Sequence, residues 1–320
     1  MRSGRHNVLA AAVLAALALP LPSAAAPFAY ITNQLDDNVA IIDTESGKVV
    51  DTVPVKGKPA GVAVAPDGSR VYISAPESGS IAVIDAQTRA LVKEAKVSDG
   101  ALGVAIDRSG KRLFVADWYK AIVTVLDTDS LQPVKTIPVG QSPSGLAVSP
   151  DNRWLYVANR LSNSVSKIDL ASLNVVGSAG VGAHPFGLAL DSEGRRLYTA
   201  NVESDDVTVV DTASMEIVST VKVQGRPYAA AFALNDSRLL VTNQNSDSVS
   251  VIDTAELKEH GVIEVGGKPE GIGTLADDRH VYVANWFDGT VSVIDAKRLQ
   301  VVETIRAGEG SRAFGQFIGK

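Results

Sequence analysis

The chain has 320 residues, with 36 acidic against 30 basic side chains, a formal charge of −6, four histidines and no cysteine. A net acidic balance argues against general binding to duplex DNA or to anionic membranes. The missing thiols exclude disulfides and thiolate chemistry, so stability has to come from packed apolar surface.

Taken from the N-terminus, residues 1–25 read as a secretory signal peptide: Arg2 and Arg5, then the apolar run Val8 to Leu19, then Ser23-x-Ala25 as a small-residue cleavage site. The run is 12 residues long, and a helix needs roughly 20 to cross a bilayer. We therefore expect a periplasmic or secreted protein that starts at Ala26, has no membrane span and carries a formal charge of −8 once Arg2 and Arg5 are gone.

Residues 26–320 read as one domain built from a repeat. Tyr30, Tyr72, Phe114, Tyr156, Tyr198, Leu240 and Tyr282 follow one another at intervals of 42, and Asp43, Asp85, Asp127, Asp169, Asp211, Asp253 and Asp295 keep the same interval. Each unit reads as four short strands, for example Gly145 to Ser149, Trp154 to Asn159, Val165 to Asp169 and Val175 to Ser178, separated by turns such as Pro150-Asp-Asn. Four strands in about 40–45 residues specify an all-β, seven-bladed β-propeller. The first strands carry Gly or Ala (Gly61, Gly103, Gly145, Gly187, Ala229, Gly271, Ala313), as a crowded axis demands, and the others carry Val and Ile. The last strand, from Arg312, is expected to join the first three strands and close the ring.

At these residues a family resemblance appears. Leu155-Tyr-Val-Ala-Asn, Val281-Tyr-Val-Ala-Asn, Val291-Ser-Val-Ile-Asp and Pro143-Ser-Gly-Leu-Ala-Val-Ser-Pro-Asp resemble the YVTN-repeat β-propellers of bacterial periplasm and archaeal surface layers. The resemblance implies the propeller fold; for function it implies several classes, since members include non-enzymatic exported proteins, nucleic-acid binders and relatives of lactonases, lyases and oxidoreductases.

A residue present in every unit is most simply scaffold, and a unique site has to break the repeat. The seven aspartates read as Asx turn caps, and Asn33, Asn159, Asn201, Asn243 and Asn285 as structural ends of the second strand. The departures fall in the loops after the second strand and before the first, which open on one face. There Trp118, Tyr119, Arg160, His184, Phe186, Arg226, Tyr228, Lys268, Glu270, Trp286, Phe287 and Arg312 form a candidate ring around the channel mouth. Aromatic platforms beside cations suit an anionic ligand, a peptide segment or a single nucleic-acid strand.

Catalytic chemistry is sparse. After the leader the histidines are His184, His260 and His280, not at metal-ligand spacing. Only His184 faces the candidate mouth. With no phosphate loop, no CxxCH and no thiol, no catalytic residue, metal or cofactor is assigned. The expected function is a monomeric exported binding or scaffold protein that recognises a periplasmic or envelope protein, or a small anionic ligand. A lactonase- or lyase-like enzyme and a single-stranded nucleic-acid binder are the alternatives.

Overall fold

The computed structural model describes residues 28–319; the expected leader, 1–25, lies outside them. Among the described residues the sheets number seven, and within each blade successive strands pair antiparallel. Blade 1 starts at Phe28–Asn33 and runs to 54, blade 2 spans 61–96, blade 3 101–138, blade 4 143–180, blade 5 185–222, blade 6 227–264 and blade 7 269–306. Their first strands pack on one another in an unbroken series that returns to its start, so the sheets form a closed ring. The described residues contain one short 3-10 turn, Arg160–Ser162, and no helix long and apolar enough to cross a membrane.

Burial follows from blade position. Second and third strands lie between neighbouring blades and are buried on both faces, as in Arg196–Asn201 and Asp206–Asp211. Outermost strands face solvent and are mostly exposed, as in Lys48–Pro54. The contact that excludes side chains from the first strands is narrower than general crowding at an axis. A Cβ on Gly103 would lie 1.8 Å from the Ser144 carbonyl oxygen, and one on Gly271 2.1 Å from that of Ala313. Each such strand is pressed against the backbone of the next blade. Hydroxyls add bonds across the same seam, Thr32 Oγ1 donating to the Ala60 carbonyl at 3.0 Å and Thr242 Oγ1 to that of Glu270 at 2.9 Å.

The C-terminal segment closes the ring. It runs antiparallel to Phe28–Asn33, with bridges Ala29 to Ile318 and Asn33 to Ser311, and takes the first-strand place of blade 1. Tyr30 N–H donates to the Phe317 carbonyl and Arg312 N–H to that of Thr32, both at 2.8 Å. One of its stretches, Phe314–Gln316, also pairs in parallel with Gly61–Val64 of blade 2, a second attachment that the repeat does not announce.

Candidate functional site

The repeated polar columns are scaffold. All seven aspartates accept backbone N–H groups two or three residues on, as Asp169 does from Ser172 at 2.7 Å. Asn159, Asn201, Asn243 and Asn285 each donate Nδ2 to side chains five and seven residues further on, pinning their own hairpins. In blade 3 that column holds Asp117, fully buried, whose Oδ1 accepts the N–H groups of Tyr119 and Lys120 at 3.0 and 3.1 Å and so shapes the Trp118–Tyr119 turn.

The loops of the mouth are held in fixed conformations. Lys58, Ser142, His184, Arg226 and Lys268 all have φ between 50° and 60°, a left-handed backbone that costs a non-glycine residue roughly 1–2 kcal/mol. In four of them the N–H is captured by an Asp or Asn of the preceding blade: Asp37 for Lys58, Asn163 for His184, Asp205 for Arg226 and Asp247 for Lys268, at 2.8–2.9 Å. Neighbouring loops are thus latched together, and His184, Arg226 and Lys268 project from a rim that recurs around the ring.

The twelve candidate residues separate into three groups. Phe186 and Tyr228 are buried, at 4 % and 6 % exposure, and join Ala60, Leu102 and Phe314 in one cluster drawn from blades 2, 3, 5 and 6 and the C-terminal segment. Ring centroids lie 4.0 Å apart for Phe186 and Tyr228 and 4.8 Å for Phe186 and Phe314. Side chains from such separated blades meet only by crossing the axis, so this layer plugs the channel beneath its mouth. Trp118 packs at its edge, 6.1 Å from Phe186, with the Arg160 guanidinium 5.5 Å above its ring.

The second group is polar and buried. Glu270 is 8 % exposed and Arg312 Nε lies 2.8 Å from Glu270 Oε2, an ion pair without hydrogen-bond alignment. Arg312 also donates to the Tyr228 hydroxyl, and Gln244 Nε2 to Glu270 Oε1 at 2.9 Å. Burial pushes the Glu270 carboxyl up, against the opposing pull of Arg312, Gln244 and Lys268; burial likewise pushes the Tyr228 hydroxyl up. Glu270 lines a pocket of about 440 Å³ together with Gln34, Gln244, Asn245, Trp286, Arg226 and Lys268. Trp286 is oriented by its Nε1, which donates to Gln34 Oε1 at 3.0 Å.

The third group is the rim. Tyr119 and Phe287 are 74 % and 68 % exposed and sit on blades 3 and 7, apart from one another. His184 Nδ1 lies 3.9 Å from Glu203 Oε1, too far for a hydrogen bond, while Arg226 holds the same carboxylate at 3.1 Å. Gln34, Gln244 and Asn245 were not singled out by the sequence; their signal is that, like Trp118 and Trp286, they vary between blades at the two positions following the Asn column.

A family model of the YNCE-like beta-propeller matches residues 146–238 and 178–315, jointly more than half of the chain. The chain belongs to the YNCE-like beta-propeller family. A model of the cytochrome D1 heme domain matches residues 28–147. Among solved structures, a chain of Kuenenia stuttgartiensis hydrazine synthase is 22% identical, with 87% of this chain and 98% of that one covered and a TM-score of 0.75. Dihydro-heme d1 dehydrogenase NirN in complex with DHE is 17% identical over 90% of this chain and 76% of that one, at a TM-score of 0.68. A functionally unknown protein from Desulfotomaculum acetoxidans DSM 771 is 14% identical, at 91% and 98% coverage and a TM-score of 0.79. Comparison with curated proteins finds no match.

The cytochrome D1 likeness raises the question of a haem. Residues 28–147 contain no histidine, cysteine or methionine, the commonest axial ligands of haem iron. Across the axis the aromatic layer fills the channel, and among the described residues no cluster of three His, Cys, Asp or Glu is placed to hold a metal ion. The matched residues thus offer none of these axial ligands, and the likeness is one of fold.

Proposed function

We propose that this YNCE-like propeller, with repeats of the YVTN type, is an exported, monomeric, non-catalytic binding protein that takes a small anionic ligand or a segment of a partner protein at its mouth. The observation that carries the reading is the pocket lined by Glu270, where an oriented indole and a lysine without an ion-pair partner among the described residues accompany a buried carboxylate. Pockets that join an apolar platform to a few convergent polar groups are the usual form of small-ligand sites. The non-catalytic reading is supported by the surroundings of His184, the mouth histidine: the Glu203 carboxylate, 3.9 Å from its Nδ1, is already held by Arg226 at 3.1 Å. An exported location rests on residues 1–25 and is checked by detecting the cleaved chain outside the cytoplasm.

The test is a thermal-shift screen of the chain from Ala26 against divalent ions, sugar lactones, nucleotides, single-stranded oligonucleotides and short peptides. A stabilising ligand whose effect disappears in Trp286→Ala supports the mouth as the site. Turnover of a lactone that needs a divalent ion and is lost in Glu270→Ala overturns the non-catalytic reading.

A further inference from the structure

We propose that the pocket beside Trp286 binds a sugar carrying one anionic group, a carboxylate or a phosphate, an inference that rests on reading the mouth as a ligand site. Its hydrogen-bonding capacity is mixed in sense. Gln34 Oε1 is occupied by the Trp286 indole, which leaves the Gln34 amide NH₂ as a donor. Gln244 is the reverse: its NH₂ is engaged by Glu270, which leaves its carbonyl oxygen as an acceptor. Asn245, exposed at the same wall, offers both. An anion only accepts and an ammonium only donates, whereas each hydroxyl does both, so vicinal hydroxyls match this set.

The indole supplies the remaining requirement of a sugar ring, an apolar surface for its C–H face beside groups that stay polar. A volume of about 440 Å³ lies within the range of roughly 300–1,000 Å³ usual for small-molecule sites. The anionic substituent is assigned to Lys268. Arg226 is already held by Glu203 at 3.1 Å, and Arg312 by Glu270, while Lys268, which lines the pocket, has no ion pair among the described residues. A single nucleic-acid strand fits less well, because the exposed aromatics stand apart on blades 3 and 7 and form no continuous stacking track.

The experiment is calorimetric and fluorescence titration of the chain from Ala26 with glucuronate, glucose 6-phosphate, glucose and inorganic phosphate. At least one charged sugar should bind with one-to-one stoichiometry, at least ~10-fold tighter than glucose and than inorganic phosphate, a ratio typical of one charge-assisted contact. Glucuronate alone binding identifies a carboxylate and glucose 6-phosphate alone a phosphate. Lys268→Ala should remove the preference over glucose; Trp286→Ala and Asn245→Ala should each weaken binding of the charged sugar, and Phe287→Ala should not. Asn245 is exposed, so its variant tests the site even where Trp286→Ala fails to fold. Inorganic phosphate binding as tightly as the sugar phosphate overturns the sugar assignment. If no charged sugar binds but a nucleotide or peptide does and is lost in Asn245→Ala, the sugar inference falls and the mouth reading stands. If no ligand responds to either variant, both fall.

Discussion

At the scale of single residues, two features decide stability and both are testable. Gly103 sits where a Cβ would lie 1.8 Å from a backbone carbonyl oxygen, an atom that cannot swing aside. Gly103→Ala should therefore cost at least the 1–3 kcal/mol typical of overpacking, about that much or more, read as a lower denaturant midpoint with an unchanged slope; Gly180→Ala, with open space around its Cβ position, is the control. The turn aspartates act through pH. Backbone N–H groups hold the carboxyls of Asp43, Asp85, Asp127, Asp169, Asp211 and Asp253 below the usual range, and the Arg279 guanidinium, with further backbone bonds, does so for Asp295. A folded-state pKa below the unfolded value of about 3.9 contributes stability above that pH, which is lost as the pH falls through the folded pKa. Thermal midpoints should thus fall on acidification below about pH 4, and Asp295→Asn, which loses the ion pair with Arg279, should flatten that dependence. These columns are legible in the sequence because they repeat. The pocket amides are not: Gln34 and Gln244 belong to distant blades, and only the closing of the ring places both beside Trp286.

Between elements, each blade solves the same edge problem. In all seven sheets the pairing of third and fourth strands shifts register, as between Ile41 and Ile42 or Val209 and Val210. Exposed outer residues such as Val92 and Val134 therefore sit on edges bent away from regular pairing with another chain. Four strands per unit follow from the alternation of Val and Ile with turn residues; the shift has no such signal, since it depends on how two strands count against each other. One contact joins elements that the repeat keeps separate: Glu270 at the start of blade 7 and Arg312 of the closing segment, paired at 2.8 Å with side chains 10% and 14% exposed. Removing one partner of a buried pair leaves the other uncompensated, at a cost of about 3–5 kcal/mol, while replacing both with apolar groups is often neutral. Glu270→Leu should be strongly destabilising by denaturant unfolding, and Glu270→Leu with Arg312→Leu should recover most of the loss. A double variant no more stable than the single one shows that Glu270 serves the fold through its other contacts.

On the scale of the whole molecule, the ring depends on a segment of about a dozen residues. The apolar cluster at the junction draws Tyr282, Val291 and Ile305 from blade 7, Ile31 and Val39 from blade 1 and Val62 and Val71 from blade 2, with Phe317 among them. Residues 309–319 also exchange five backbone hydrogen bonds with residues 28–35. At roughly 1 kcal/mol for each bond and about 2–3 kcal/mol for each of the buried Phe314 and Phe317 rings, their removal amounts to ~10 kcal/mol, comparable to the whole stability of a typical domain. Deleting residues 309–320 should leave a chain without a cooperative melting transition at neutral pH, because it opens the ring and uncovers the Phe28–Asn33 edge together. A peptide of residues 309–320 supplied in trans should restore part of the transition, since its bonds to blade 1 are antiparallel and need no covalent link to blade 7. A deletion variant that melts within a few degrees of the intact chain would show instead that the blades hold their arrangement through the seams between first strands alone.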